Sequence, residues 1–169
     1  IWVPVIGLAW WALDMPFLKR YSEEKIKRNP ELRGKDISSM KKSFTRFSRY
    51  PVSIFIFAEG TRFTKEKKDL QSSPFNNLLL PKPGGIGLTL STMPYINKMI
   101  DFSIKYESDK KTFWAFLCGE RNEAIVKVNL IDIPQKLLGG DYSEDEVYRD
   151  DLKNWLYDIW QEKDKFLSS

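Results

Sequence analysis

The segment Glu59-Gly60-Thr61-Arg62 gathers a carboxylate, a backbone without a side chain, a hydroxyl and a guanidinium in four consecutive residues. The planar fork of arginine matches the oxygens of a phosphate, and glycine lets the backbone approach a ligand closely. Threonine can add a hydrogen bond, and the carboxylate can orient the arginine or accept from a substrate hydroxyl. The segment therefore indicates a phosphate-binding loop, with a purely structural Glu59–Arg62 ion pair as the alternative.

The absence of histidine from the sequence restricts the chemistry further. Within these 169 residues it excludes a Ser-His-Asp triad, a histidine-bound metal and a histidine general base. The single cysteine, Cys118, excludes an internal disulfide and any zinc site built from cysteine pairs. We expect it to be a small buried residue, because no neighbour in the sequence activates it as a nucleophile. No metal or resident cofactor is predicted.

The apolar run 52–57 precedes the loop and predicts a strand that is covered on both faces in the middle of a sheet. Polar residues just past the carboxyl end of such a strand are where α/β folds bind ligands. Downstream, the pattern predicts a short helix over 86–93, with Gly84-Gly85 at its entry, and strands near 100–106 and 124–130.

A final helix is predicted to open with a capping box formed by Ser143 and Glu146. Its core-facing stripe would contain six apolar residues: Val147, Leu152, Trp155, Leu156, Ile159 and Trp160. No repeat or long linker divides the chain. We therefore predict a single α/β domain over residues 1–169, with a central, mostly parallel sheet flanked by helices.

The first third of the chain differs in composition from the rest. The uncharged run 1–13 contains three tryptophans and is too short to span a bilayer, which needs roughly 20 apolar residues. It is either a buried helix or a helix lying in the membrane interface. Residues 19–49 hold eleven basic and four acidic residues, with a helical apolar stripe at Ile37, Met40, Phe44 and Phe47. The cations are either merely solvated or face an anionic membrane or substrate.

The amino-acid sequence around the loop resembles the third conserved block of the glycerolipid acyltransferase superfamily. The residues concerned are Phe57-Ala58-Glu59-Gly60-Thr61-Arg62-Phe63-Thr64, the EGTR motif with its flanks, and then residues 80–86, LPKPGGI. Upstream, Pro4-Val5-Ile6-Gly7 and Pro16-Phe17-Leu18-Lys19-Arg20 resemble the second block. The stretch 155–164, WLYDIWQEKD, is similar to the tail of a bacterial branch of lysophosphatidic acid acyltransferases. The resemblance extends over essentially the whole chain, in the family's order.

This resemblance implies acyl transfer from acyl-CoA or acyl carrier protein to the free hydroxyl of a lysophosphatidic acid-type glycerol phosphate. It places substrate binding on Arg20, Glu59, Gly60, Thr61 and Arg62. Arg20 and Arg62 would neutralise the phosphate, and Glu59 would fix the loop or orient the polyol. Lys82 to Gly85 would border the same pocket. The implied partners are the lipid acceptor, the acyl donor and a membrane surface, at the cytoplasmic face of the inner membrane.

The family's first block, Asn-His-four residues-Asp, has no counterpart here, because the chain has no histidine. In the family that histidine is the general base that activates the acceptor hydroxyl, and the block lies shortly before the second one. We therefore expect the chain to begin downstream of the dyad, to contain no catalytic residue of its own, and to be inactive as it stands.

Two other functions compete with this one. A non-catalytic peripheral module that binds anionic lipid would use the tryptophan-rich start and the basic helix, and would not need Glu59. A nucleic-acid binder is suggested by cations interleaved with aromatics, but no recognised nucleic-acid motif accompanies them. We predict no nucleic-acid partner.

Overall fold

A computed structural model describes residues 53–106, 113–120 and 123–169, and Phe55–Ser169 form one compact unit. The predictions for residues 1–52, including the opening run, the basic stretch and Arg20, lie outside the described residues. The described elements, in chain order, are α1 (Lys65–Gln71), α2 (Gly84–Thr92), β1 (Lys98–Tyr106), α3 (Phe113–Leu117), β2 (Ala124–Asp132), a 3-10 helix (Gln135–Leu137) and α4 (Glu146–Ser168). The unit is thus a mixture of helices and strands, as predicted.

The two predicted downstream strands are confirmed and pair with each other. β1 and β2 run antiparallel along their whole length, from Lys98 opposite Asp132 to Tyr106 opposite Ala124. They form a two-stranded sheet. The central, mostly parallel sheet is therefore not formed within the described ranges, since an alternating sequence specifies a strand but not the direction of its neighbour.

The strand predicted over 52–57 is wrong for the residues that the structure describes. Residues 53–57 are extended without strand pairing, and Phe55 and Phe57 are 81% and 89% exposed. The sequence did predict extended backbone, because β-branched and aromatic residues favour it. It did not specify a partner strand, and none pairs with residues 53–57 within the described part of the chain.

Helix α4 organises the core through residues spaced four apart. Tyr148, Leu152, Leu156, Trp160 and Asp164 are its buried residues, and at this spacing they form a stripe that winds gradually around the helix. The first four pack in a cluster with buried residues from the rest of the unit, among them Phe75, Leu78, Ile86, Leu90 and Leu137. The Tyr148 hydroxyl also donates to the Leu137 carbonyl at 2.9 Å.

The start of α4 differs from the predicted capping box. The helix begins at Glu146, and Asp145 is its N-cap, accepting from the Tyr148 amide at 3.0 Å. Aspartate caps helices as well as serine does, so the sequence held two competing signals two residues apart. Val147, predicted to face the core, is 74% exposed, because the buried residues of the first turn begin with its neighbour Tyr148.

The hairpin formed by β1 and β2 presents an apolar face to solvent. In register, Ile100 lies opposite Leu130 and Phe102 opposite Val128, and all four are about half exposed or more. The other face holds Asp101 and Ser103, which are both buried, next to α4. The polar side of this hairpin is therefore its packed side. No helix among the described residues is long and apolar enough to cross a bilayer.

Helix α2 confirms the helix predicted after Gly84-Gly85, and it is held against the loop that follows β2. The Ser91 hydroxyl donates to the Gly140 carbonyl and accepts from the Tyr142 amide at 3.1 Å. The ring of Tyr142 lies directly over Gly87, where a Cβ would be 2.6 Å from Cγ and 2.7 Å from Cε2 of that ring. Only a residue without a side chain fits at this crossing.

We expect Gly87→Ala to lower the free energy of unfolding by about 1–3 kcal/mol, because the added methyl group overlaps the Tyr142 ring. The matched control is Gly85→Ala in the same helix, where a Cβ would meet only Ile56 at 3.5 Å. There the substitution should leave stability equal or raise it, since alanine favours helix by roughly 1 kcal/mol over glycine. Urea denaturation of both variants measures the difference, and equal midpoints would refute the close packing at Gly87.

Candidate phosphate-binding loop

The loop Ala58–Arg62 is a tight turn that is fastened to residues 79–82. The Gly60 amide donates to the Phe57 carbonyl at 2.9 Å, and the Lys82 amide donates to the Ala58 carbonyl at 2.7 Å. Gly60 has φ of +70°, in the left-handed region that glycine adopts without steric cost. The sequence predicted a permissive backbone position here, and the turn requires one.

Glu59 is directed into the protein and holds the loop from inside. Its Oε2 accepts from the Leu79 amide at 3.3 Å, and Leu79 itself is fully buried. Burial raises the pKa of the Glu59 carboxyl above its ordinary value, and the Leu79 amide and the charge of Lys163 oppose that rise. Of the two roles expected for Glu59, the geometry supports fixing the loop.

Thr61 and Arg62 face solvent on the other side of the turn. Lys67, on the first helix, donates from Nζ to the Thr61 hydroxyl at 2.8 Å and to the Arg62 carbonyl at 3.2 Å. Within the described ranges the Arg62 guanidinium has no ion pair, and none joins it to Glu59. The alternative of a structural Glu59–Arg62 ion pair is therefore wrong.

Two side chains outside the motif hold the segment that Glu59 contacts. Asp164, buried near the end of α4, accepts from the Asn76 amide at 2.8 Å and from the Asn77 amide at 2.7 Å. Gln71 accepts from the Leu80 amide at 3.2 Å through Oε1. The backbone that receives the Glu59 carboxylate is thus fixed on both sides of Leu79.

A buried ion pair joins α4 to β1 next to this segment. Lys163 Nζ lies 2.5 Å from Asp101 Oδ1, with about a tenth of each side chain exposed. Ser103 donates to the other oxygen of Asp101 at 3.3 Å, and the Lys163 ammonium lies 4.8 Å from the centre of the Trp160 ring. The positive charge of Lys163 is therefore the one that acts on the Glu59 carboxyl from inside the protein and opposes the rise of its pKa.

The sequence identified the motif but not its support. Asp164 was missed, although a signal existed: it is the one acidic residue at the four-residue spacing of the buried face of α4. Lys67 gave no signal, because a lysine in a charged helix is ordinarily a solvated residue. Lys82 was expected to border the pocket, and its side chain lies beside Gly60, with Nζ 3.7 Å from where a Cβ would be.

The remaining predictions concern Cys118, metal ligands and Arg20. Cys118 is exposed, so the expectation of a buried cysteine is wrong; it follows a one-turn helix rather than lying in a core element. No cluster of metal-ligating side chains occurs in the part of the chain that the structure describes. Arg20, assigned to the phosphate, lies outside that part.

The Glu59 carboxyl makes stability depend on pH in a defined direction. Since folding raises its pKa, the folded state binds more protons than the unfolded state between the ordinary value of 4.5 and the raised value. Stability contributed by this group therefore falls as the pH rises through that window. Glu59→Gln removes the titration and keeps an oxygen for the Leu79 amide, so it should flatten this part of the profile without loss at neutral pH.

The matched variant Glu59→Ala removes the acceptor as well and should lower the free energy of unfolding by about 1–3 kcal/mol, because the Leu79 amide is left without a partner. Urea unfolding of both variants between pH 4 and 8 is the measurement. An equal loss from the two substitutions would contradict the hydrogen bond as the function of Glu59.

For Asp164, we expect Asp164→Ala to cost about 2–4 kcal/mol, since two backbone amides lose their acceptor together. Asp158→Ala, at an exposed position of the same helix, is the control and should stay within about 0.5 kcal/mol of the parent protein. Hydrogen exchange at the Asn76 and Asn77 amides reports the local effect. Unchanged protection of these amides in Asp164→Ala would refute the proposed anchor.

Comparisons with known proteins give the loop a family context. The chain is 25% identical over 177 residues to the 1-acyl-sn-glycerol-3-phosphate acyltransferase delta of Homo sapiens, and 27% identical over 180 residues to that of Mus musculus. Each alignment covers 98% of this chain and 42% of the relative. A 2-acyl-1-lysophosphatidylinositol acyltransferase of Saccharomyces cerevisiae is 26% identical over 137 residues, which are 70% of this chain and 32% of that protein.

The chain therefore spans less than half the length of the curated relatives it matches. No family model and no solved structure matches it. The 1-acyl-sn-glycerol-3-phosphate acyltransferases nevertheless align over nearly the entire chain, and they and the yeast relative are named as acyltransferases of glycerolipids. The resemblance to the glycerolipid acyltransferase superfamily is thus confirmed, while the assignment to a bacterial branch stays a prediction.

Proposed function

We propose that this homologue of the glycerolipid acyltransferases takes part in acyl transfer from acyl-CoA or acyl carrier protein to the free hydroxyl of a lysophosphatidic acid-type glycerol phosphate. The observation that carries the proposal is the loop itself. Its sequence resembles the third block of the superfamily, Glu59 is turned inward to fix it, and Thr61 and Arg62 are left at the surface. The loop thus presents a hydroxyl and a guanidinium to a phosphate.

The proposed step is a substitution at the thioester carbonyl. The acceptor hydroxyl loses its proton to a general base, its oxygen forms a bond to the acyl carbon, and the carbon–sulfur bond breaks. The thiolate leaves and takes up a proton. Because this chain has no histidine, a histidine base for the reaction would come from residues outside it.

In this proposal the chain's own residues bind and orient the acceptor. Arg62 pairs with the phosphate, and Thr61 donates a hydrogen bond to it. Arg20 is assigned a second phosphate contact from the family resemblance alone. Gly60 keeps the backbone close to the ligand, and Glu59 positions the loop without touching the substrate.

We also propose that the hairpin belongs to the larger, mostly parallel sheet with helices on its faces that the sequence predicts. The exposed apolar face formed by Ile100, Phe102, Val128 and Leu130 supports a larger layered structure, since extended apolar faces in folded proteins are ordinarily covered. The parallel order of the other strands stays a prediction.

Membrane association, at the cytoplasmic face of the inner membrane, is likewise a proposal. It is supported by the lipid substrates in the relatives' names and by the tryptophan-rich and basic stretches of the sequence. The alternative, a non-catalytic domain that binds anionic lipid, predicts vesicle binding that weakens with salt and does not depend on Glu59.

The test is acyl transfer by the protein encoded by the complete reading frame, with 1-acyl-glycerol 3-phosphate as acceptor. We expect Arg62→Ala to raise the KM for the acceptor by about 10-fold or more, in line with the ~1.5–3 kcal/mol of a hydrogen bond to a charged group. Arg62→Lys should recover only part of this loss, because lysine lacks the planar fork.

Lys153→Ala is the charge-matched control on an exposed turn of α4 and should leave the KM unchanged. An unchanged KM in Arg62→Ala would remove Arg62 from the acceptor site. Failure of the parent protein to transfer any acyl group, together with salt-sensitive vesicle binding, would favour the non-catalytic alternative.

A further inference from the structure

We propose that Lys67 and Lys82 complete, with Arg62, a site of three cations around Thr61 that selects a phosphate monoester over a phosphodiester. This inference rests on the proposed function, because it names the acceptor chemistry of the same loop. Neither lysine belongs to the EGTR motif.

The first element is the double contact made by Lys67. Its ammonium group has three N–H donors, and the hydrogen bonds to the Thr61 hydroxyl and the Arg62 carbonyl occupy two of them. The third remains for a ligand. The lysine therefore holds its charge at the exposed edge of the loop and fixes the loop's backbone at the same time.

That contact also determines what Thr61 can offer. A hydroxyl has one proton to donate, and Thr61 uses its oxygen to accept from Lys67. The Thr61 proton is therefore directed away from Lys67 and can be donated to an anion. Lysine, threonine and arginine then all act as donors, which suits a ligand that has only acceptor oxygens.

The second element is the placement of Lys82 on the opposite segment. Pro81 and Pro83 flank it and restrict the backbone, and its amide is bonded to the Ala58 carbonyl at 2.7 Å. Its side chain runs beside Gly60, with Cδ 3.5 Å and Nζ 3.7 Å from the position of a Cβ. Because glycine at position 60 has no side chain, the Lys82 side chain can lie close to the turn.

No carboxylate of the loop forms an ion pair with these cations, although the charge of Lys67 contributes to lowering the pKa of the exposed Glu66 beside it. Glu59, the loop's own carboxylate, is bonded to the Leu79 amide on the inner side. None of the ion pairs between described residues involves Arg62, Lys67 or Lys82. Three positive charges near one turn repel each other, so they favour a ligand with more than one negative charge.

Charge then separates the two acceptor classes named among the relatives. A phosphate monoester carries about −1.5 to −2 charges at pH 7, because its second pKa is about 6. The phosphodiester of a lysophosphatidylinositol carries one negative charge at any pH near neutral. A site of three cations should therefore prefer the monoester, and the preference should weaken below pH 6.

The experiment is calorimetric titration of the full-length protein without acyl donor, using sn-glycerol 3-phosphate, glycerophosphoinositol and inorganic phosphate as probes. We expect Lys67→Gln and Lys82→Gln each to weaken binding of glycerol 3-phosphate about fivefold, and the double variant ~25-fold, as for the loss of an exposed ion pair of about 1 kcal/mol. Binding of glycerophosphoinositol should change less than about twofold, so the preference is lost.

Lys65→Gln is the matched control, since Lys65 is an exposed lysine on the same helix as Lys67 and no hydrogen bond joins it to the loop among those described. It should bind all three probes as the parent protein does. Lys67→Arg keeps the charge and should retain the preference for the monoester. A purely structural role would instead weaken both esters equally in Lys67→Gln, and that result would overturn the proposal.

The other outcomes are equally decisive. Inorganic phosphate binding as tightly as glycerol 3-phosphate would overturn the assignment to a lipid headgroup. Acyl transfer by the parent protein with unchanged monoester preference in the double variant would overturn this inference and leave the proposed function standing. If the parent protein transfers no acyl group but the double variant loses the preference for the monoester, the inference is supported and the proposed function is refuted.

Discussion

The pair of hydrogen bonds from the Asn76 and Asn77 amides to Asp164 is the constraint on which the candidate site depends. It connects residues that are almost ninety positions apart in the chain, and the Asp164 side chain is buried while Asn76 and Asn77 lie at the surface. A buried carboxylate is costly unless its oxygens are satisfied, and here each oxygen accepts one backbone amide. These hydrogen bonds therefore fix the end of α4 against the segment 76–80.

The segment 76–80 in turn holds the loop, because the Leu79 amide donates a hydrogen bond to Glu59. Because Leu79 is fully buried and its amide donates to Glu59, the carboxylate is held against this segment, and Gly60, Thr61 and Arg62 follow it in the chain. The bond from Lys82 to Ala58 closes the other side of the turn. The loop gains a defined shape in this way, with only Ala58 of its five residues in the core, which is what positioning a ligand requires.

What the sequence predicted and what it missed follow from the range of the interactions involved. The turn at Gly60, helix α2 and the two strands of the hairpin depend on local preferences, and they were predicted correctly. The antiparallel pairing of β1 with β2, the exposure of Phe55 and Phe57, and the anchor at Asp164 depend on partners distant in sequence. The start of α4 was misplaced for a different reason, since Ser143 and Asp145 are both good caps and only packing chooses between them.

The inward direction of Glu59 has an electrostatic consequence for the loop's outer face. Had the carboxylate paired with Arg62, as an isolated EGTR segment would allow, the motif would be nearly neutral and its arginine already occupied. Instead the negative charge is placed beside Leu79 and near Lys163, where burial raises the pKa of the carboxyl. The Leu79 amide and the charge of Lys163 partly offset the unfavourable burial of this carboxylate. Arg62, Lys67 and Lys82 remain available as cations at the surface. A single glutamate thus separates the loop into a structural inner side and a positively charged outer side, an arrangement that is suited to an anionic ligand.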